Sequence, residues 1–231
     1  MSALRKLVAP NLDEEIAEFI GNVEYPCAGA KTALSQNTIQ SLEATNMRCP
    51  QDDTIILEKI YDFIAEWRKT ESDFVTLIVS FTEDYYESEE QFEYSLWGLL
   101  QRLHNIDSKR YSWDKRVSKE PTDKKFSFSI GGEAFYLVGM HPQASRPARR
   151  FKYPTIVFNL HEQFEALRNA GSYGRLRDII RRRDEVFAGS INPMMSDFGD
   201  SLEAAQYSGR AVDIKTWTCP FKAKEKTNER D

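Results

Sequence analysis

The chain has 231 residues, 41% of them hydrophobic, 12% aromatic and 29% charged, a composition that fits one globular domain with a sizeable core and excludes a wholly disordered chain. Lysine and arginine number 31 against 36 acidic residues, a formal charge of -5, so nucleic acid is not an expected partner: an acidic chain gains nothing from releasing counterions off a phosphate backbone. The longest apolar stretches, Phe74 to Phe81 and Ala134 to Met140, are far shorter than the roughly 20 residues of a membrane helix, and no membrane segment is expected.

Residues 1–10, MSALRKLVAP, carry two basic residues but no extended apolar core and no small-residue cleavage site, so a secretory leader is not expected and the location implied is cytoplasmic. Cys27, Cys49 and Cys219 show no CxxC spacing, which argues against a disulfide framework and a zinc finger and for reduced thiols. An amphipathic helix is predicted around Leu12 to Ile20. The period of Ile56, Ile60, Phe63, Ile64 and Trp67 predicts a second helix, with Asp52 and Asp53 as candidate caps. Phe74 to Phe81 concentrates β-branched and aromatic residues and reads as a strand. Phe92, Leu96, Leu99, Leu100 and Leu103 mark a further helix, opened by a capping box of Ser88 and Gln91, with His104 at its polar end as a surface residue.

Asp107 to Lys125 reads as a long polar surface loop. Lys125 to Ile130 and Ala134 to Met140 read as strands joined by Gly131-Gly132, a pair that tolerates positive φ at both centres of a hairpin turn. A strand at Thr155 to Asn159 follows, then helices at His161 to Asn169 and Arg175 to Phe187, broken at Gly171 and Gly174. Residues 222–231, KAKEKTNERD, are expected to be a disordered tail. The order predicts a single α+β domain over residues 1–221, a mixed sheet containing a hairpin and flanked by helices.

Several chemistries are absent by motif. Lys31 does not directly follow a glycine of a phosphate loop, and there is no GxSxG, HExxH or GxGxxG. His141 follows an apolar strand and precedes Pro142, which biases it to an extended strand end; it is either a functional group or a hydrogen-bonded structural residue. From His141 onward, Arg146, Arg149, Arg150 and Lys152 crowd four cations into seven residues. That run is either a site for carboxylates, which the guanidinium fork matches, or a solvated basic loop. Arg181, Arg182 and Arg183 lie on a helix and read as a solvated face.

Cys27, in Tyr25-Pro26-Cys27-Ala28-Gly29-Ala30-Lys31, is flanked by small residues that let a large planar group approach the backbone; it is a metal-ligating thiolate or a buried inert thiol. Cys219, in Trp217-Thr218-Cys219-Pro220-Phe221, poses the same alternative, whereas Cys49 before Pro50 reads as incidental. Asp197, Asp200 and Glu203 lie in an irregular stretch rich in side-chain oxygens, where a carboxylate could receive a guanidinium or simply belong to an ordinary loop.

YPCAGAKTAL near the start, FSFSIGGEAFYLVGMHPQASRPARRFKYPTIVFNLHEQFEALR in the middle, and GSINPMMSDFGDSLEAAQYSGR with WTCPF near the end together resemble the YqcI/YcgG family, from about Leu12 to Phe221. The resemblance is greatest to its branch of haem-dependent guanidine N-hydroxylases. It implies a haem b, dioxygen and two electrons from a separate electron-donor protein, with oxygen inserted at a guanidino or amino nitrogen of an arginine-like molecule. It implies an axial ligand at Cys27, with His141, His161 and Cys219 as alternatives, because a thiolate pushes electron density toward O–O cleavage. Arg146, Arg149 and Arg150 would meet propionates or a substrate carboxylate, and Asp197, Asp200 or Glu203 the guanidinium. The competing expectations are a haem-binding or haem-sensing protein without catalysis, and a non-haem iron enzyme using His141, His161 and a carboxylate.

Overall fold

The computed structural model describes residues 11–70, 74–194 and 196–224; the expectations for residues 1–10 and 225–231 lie outside the described residues. In chain order its elements are helices α1 (Leu12–Gly21) and α2 (Ala28–Ser35), strand β1 (Ile39–Ala44), helix α3 (Asp53–Trp67), strand β2 (Thr76–Phe81) and helix α4 (Glu89–Asp107). Strands β3 (Phe128–Ile130), β4 (Glu133–Met140) and β5 (Thr155–Leu160) follow, then helices α5 (His161–Asn169) and α6 (Tyr173–Ala188). The strands form one sheet in the order β1-β2-β5-β4-β3. β1 and β2 are parallel, joined through α3, and the remaining pairs are antiparallel. The α+β class with a mixed sheet is therefore the observed one.

Alternation along the central strands sorts their side chains onto two unlike faces. Leu77, Val79 and Phe81 of β2, Phe135 and Leu137 of β4, and Ile156, Phe158 and Leu160 of β5 join the main core under α3 and α4. Each such side chain contributes about 1.5–3 kcal/mol by leaving water. The alternate residues, Thr76 and Ile78, Tyr136, Val138 and Met140, Val157 and Asn159, line a cavity on the opposite face. There α1, α2, α5 and α6 stand over the sheet. All six residues of β2 are buried because both of its faces are covered.

The hairpin is formed as expected: Ile130 pairs with Glu133, and Gly131 and Gly132 take φ of 63° and 77°. Other expectations are corrected. Asp52 stands at the N-cap position of α3 but its side chain makes no capping bond, accepting instead from the Thr45 backbone and hydroxyl, and Asp53 pairs with Arg102 of α4. Ser88 does cap α4, but Gln91 binds the Glu87 amide and not that of Ser88. His104 is only 3% exposed; its Nε2 accepts the Lys224 amide at 2.7 Å, and burial lowers its pKa to about 4. Lys222, within the expected tail, likewise exchanges two backbone bonds with the Gln101 side chain of α4. The long loop expected at 107–125 is present, anchored at Asp107, which accepts from Tyr61 and Gly131, and at buried Asp114, which accepts from the Ala134 amide. No described helix is long and apolar enough to cross a membrane.

Candidate functional site

The cavity between the sheet and its second helical layer encloses about 290 Å³ and opens partly to solvent. That volume stands at the lower end of the roughly 300–1,000 Å³ common for small-molecule sites. Ile16, Phe19 and Ile20 of α1, with Met140 and Phe151, give it apolar walls. Cys27, Arg146, Arg149, His161, Asp197 and Glu203 all line it, so the fold brings together six residues that lie far apart in sequence.

Cys27 is the N-cap of α2, and its Sγ accepts the Ala30 amide at 3.4 Å. Burial pushes the thiol pKa up, while the Ala30 and Gly29 amides pull it down. A coordinated metal would remove the proton outright, and the helix N-terminus favours the resulting charge. Gly29 and Ala30 border the cavity beside the sulfur, so the backbone there presents little bulk. The sequence reading found the cysteine but not α2, whose short Ala- and Gly-rich segment has no strong apolar period.

Arg149 ends a 3-10 turn, Pro147–Arg149, and donates through Nη1 to the carbonyls of Gly139 and Tyr207, at 3.2 and 3.1 Å. Its seat requires Gly209, which has φ of 86° and whose added Cβ would stand 2.6 Å from Arg149 Cδ. Among the described residues no carboxylate forms an ion pair with Arg149, and burial lowers its pKa. It is a cation on an apolar cavity, held by neutral carbonyls, and it suits the carboxylate of a ligand. Arg146 differs because its charge is met by Asp184 of α6, with Ser190 as a further partner.

Glu203 is 2% exposed. Its Oε1 accepts from Ser127 Oγ at 2.8 Å and from the Tyr207 hydroxyl at 2.5 Å. Burial raises its pKa to about 8, against the pull of those two bonds, so at neutral pH it holds a proton. Asp197 is already matched by Arg177 at 2.5 Å and by Arg181 at 3.6 Å. Among the three candidate acids, then, Glu203 is the one on the cavity without an ion-pair partner in the described residues. His161 also lines the cavity, packed edge-on to Phe198 at 4.5 Å, with Nε2 unbonded and its pKa lowered by burial.

The remaining candidates do not reach this space. His141 is fully buried, stacked on Phe92 at 4.4 Å, with burial lowering its pKa to about 4. It does not border the cavity, and its ring nitrogens have no hydrogen-bond partner among the described residues. Arg150 folds back on the carbonyls of Ala144 and Ser145. Asp200 is exposed, and Cys219 packs against the main core. Among the described residues there is no group of three His, Cys, Asp or Glu side chains that could hold a metal ion. Sequence reasoning also missed Tyr25, Tyr136 and Arg168 on the cavity wall; the period of Tyr136, Val138 and Met140 was the available signal for the first strand face.

These features define an α+β domain with a ligand cavity between one sheet face and a helical layer, carrying a thiol, a cation and a buried carboxyl. The family model of the YqcI/YcgG family matches residues 16–222, and the chain belongs to that family. No curated protein and no solved structure matches it.

Proposed function

We propose that the chain is a haem-dependent monooxygenase that N-hydroxylates a guanidino or amino nitrogen of an arginine-like molecule, with electrons from a separate donor protein. The observation that carries the reading is the meeting of Cys27, Arg149 and Glu203 on one apolar cavity. The donor set fits a haem: a thiol at a helix N-terminus for the iron, small residues beside it, and an uncompensated arginine for a carboxylate. When bound, the haem supplies the activation of dioxygen and the transfer of one oxygen atom to nitrogen.

The chain's own residues bind and orient. Arg149 holds a carboxylate, of the cofactor or of the substrate. Glu203 receives the substrate cation: as a guanidinium enters, the carboxyl ionises, because an adjacent positive charge offsets the burial that keeps it protonated. Oε1 stays fixed by Ser127 and Tyr207 during that change, so the carboxylate is oriented before the substrate arrives. Apolar walls from α1 and the sheet offer water few partners on that side of the cavity.

A cavity of about 290 Å³ is small for a porphyrin and a substrate together. The reading therefore requires the wall formed by α6 (Tyr173–Ala188) to yield on loading. Asp184 is the one described residue of α6 that is buried, so little core packing opposes the movement, which would have to release the Arg146–Asp184 and Arg177–Asp197 ion pairs.

The test uses haem-loaded protein with dioxygen, a reductant and a panel of guanidines including arginine. A product heavier by one oxygen, formed by wild type and lost in Glu203→Gln, supports the reading. Bound haem without product from any guanidine or amine would leave a haem carrier or sensor as the better account.

A further inference from the structure

The charged groups that line the cavity cancel in pairs except at one place. Arg146 is met by Asp184, Arg177 by Asp197 and Arg168 by Glu165. Burial keeps the Glu203 carboxyl protonated at neutral pH and holds His161 in its neutral form. Arg149 remains: its guanidinium donates to the carbonyls of Gly139 and Tyr207 and meets no carboxylate among the described residues. The lining therefore carries one unbalanced positive charge, and a ligand with a single negative charge balances it.

The surroundings of that charge are apolar and aromatic. Phe19 meets Tyr25 and Phe151, each at 5.1 Å between ring centres, and Val138, Met140 and Val157 of the sheet continue the wall. Tyr25 is buried, and its hydroxyl makes no hydrogen bond among the described residues. Burial also raises its pKa, so the hydroxyl keeps its proton and can donate it to an anion. Tyr25 and Arg149 each feel the other's charge, which puts them at the same end of the cavity. In size, an apolar cavity of roughly 150 Å³ takes up a benzene ring. The cavity here, at about 290 Å³, has space for such a ring and a short chain.

We propose that this cavity, as it stands without a cofactor, binds a small aryl carboxylate as its monoanion. The carboxylate pairs with Arg149 and accepts from the Tyr25 hydroxyl, and the ring lies against Phe19 and Phe151, where edge-to-face contacts are available. This ligand class is separate from the guanidine substrate proposed above and does not depend on haem. A guanidinium needs Glu203 ionised, whereas an aryl acid meets the cavity in its resting charge state. A phosphate or dicarboxylate fits less well, because its second charge would be desolvated against apolar walls without a cation to meet it.

The experiment titrates 3-phenylpropionate into the full-length, haem-free chain by calorimetry at neutral pH, beside its neutral amide and the corresponding primary amine. The acid should bind about 10- to 100-fold more tightly than the amide, the worth of a charge-assisted hydrogen bond, and the amine should not bind measurably. Arg149→Met should remove that preference and leave the amide's affinity unchanged, and Tyr25→Phe should weaken the acid about 2- to 10-fold. Nuclear Overhauser contacts from the ligand ring to the methyl groups of Ile16, Ile20 and Met140 should place it in the cavity. Equal affinity for acid and amide, no binding of the acid, or binding that persists in Arg149→Met without those methyl contacts overturns the proposal; the last result would mark adsorption on exposed arginines such as Arg182 and Arg183. If Arg149→Met does not fold, the three-ligand series and the methyl contacts in wild type decide. Every measurement is made without haem, so failure here leaves the haem reading standing, and a missing Soret band in the haem titration leaves this proposal standing.

Discussion

Replacing Glu203 by glutamine keeps the side chain's shape and leaves an amide oxygen to accept from Ser127 and Tyr207, while removing the proton that burial retains. The pKa moves from 4.5 in an exposed chain to about 8 in the fold. At about 1.4 kcal/mol per pH unit, the displacement corresponds to about 4–5 kcal/mol. The sign follows from proton counting. Between those two values the folded protein holds a proton that the unfolded chain has released, so stability falls as pH rises. The contribution is fully present below about pH 4.5 and is lost as pH climbs through about 8. Urea denaturation at pH 5 and pH 9 reads this directly, and wild type should lose about 4 kcal/mol more between those conditions than Glu203→Gln. Parallel pH profiles for the two proteins would show that Glu203 is already ionised in the fold, and its role as an unpartnered acid would fall.

Further outcomes follow from the same geometry. Affinity for a guanidinium ligand, measured by calorimetry, should rise by about tenfold per pH unit up to about pH 8 and then level off, because binding requires the ionised carboxylate, and Glu203→Gln should flatten the curve. Arg149→Met should weaken binding of carboxylate-bearing ligands by about 10- to 100-fold, the loss of a charge-assisted hydrogen bond, while leaving uncharged analogues unaffected. Gly209→Ala should lower stability by about 1–3 kcal/mol and reproduce part of the Arg149→Met defect, since the added methyl meets that side chain and the backbone has positive φ. Limited proteolysis within residues 173–203 should quicken on haem loading if that wall moves outward, and unchanged cleavage would contradict it.

The layout of the sheet was readable where one face alternates or a turn is chemically specific, as in β4 and its Gly131-Gly132 turn. It was not readable for β1, an edge strand whose residues Gln40, Ser41 and Glu43 are polar, nor for α2. Of the cavity lining, Cys27, Arg149 and Glu203 were singled out by chemistry: a thiol among small residues, a cation in a basic run, an acid in an irregular segment. Sequence could not separate Arg149 from Arg146 and Arg150, or Glu203 from Asp197 and Asp200, because the difference lies in partners supplied from elsewhere, Asp184 for Arg146 and Arg177 for Asp197. His141 and His104 show the converse. Both sit next to polar sequence and both are buried, His104 under Trp113 and Phe221 and His141 under Phe92 of α4, cover that no local pattern announces.

The claim that Cys27 holds an iron porphyrin in this cavity is tested most directly by titrating haem into the apoprotein and into Cys27→Ala and His141→Ala, with absorption spectra before and after reduction under carbon monoxide. The account predicts a Soret band whose carbon monoxide form has the thiolate signature in wild type and His141→Ala, and its loss or conversion in Cys27→Ala. A spectrum unchanged by Cys27→Ala, or tightly folded wild type that takes up no haem, would contradict it.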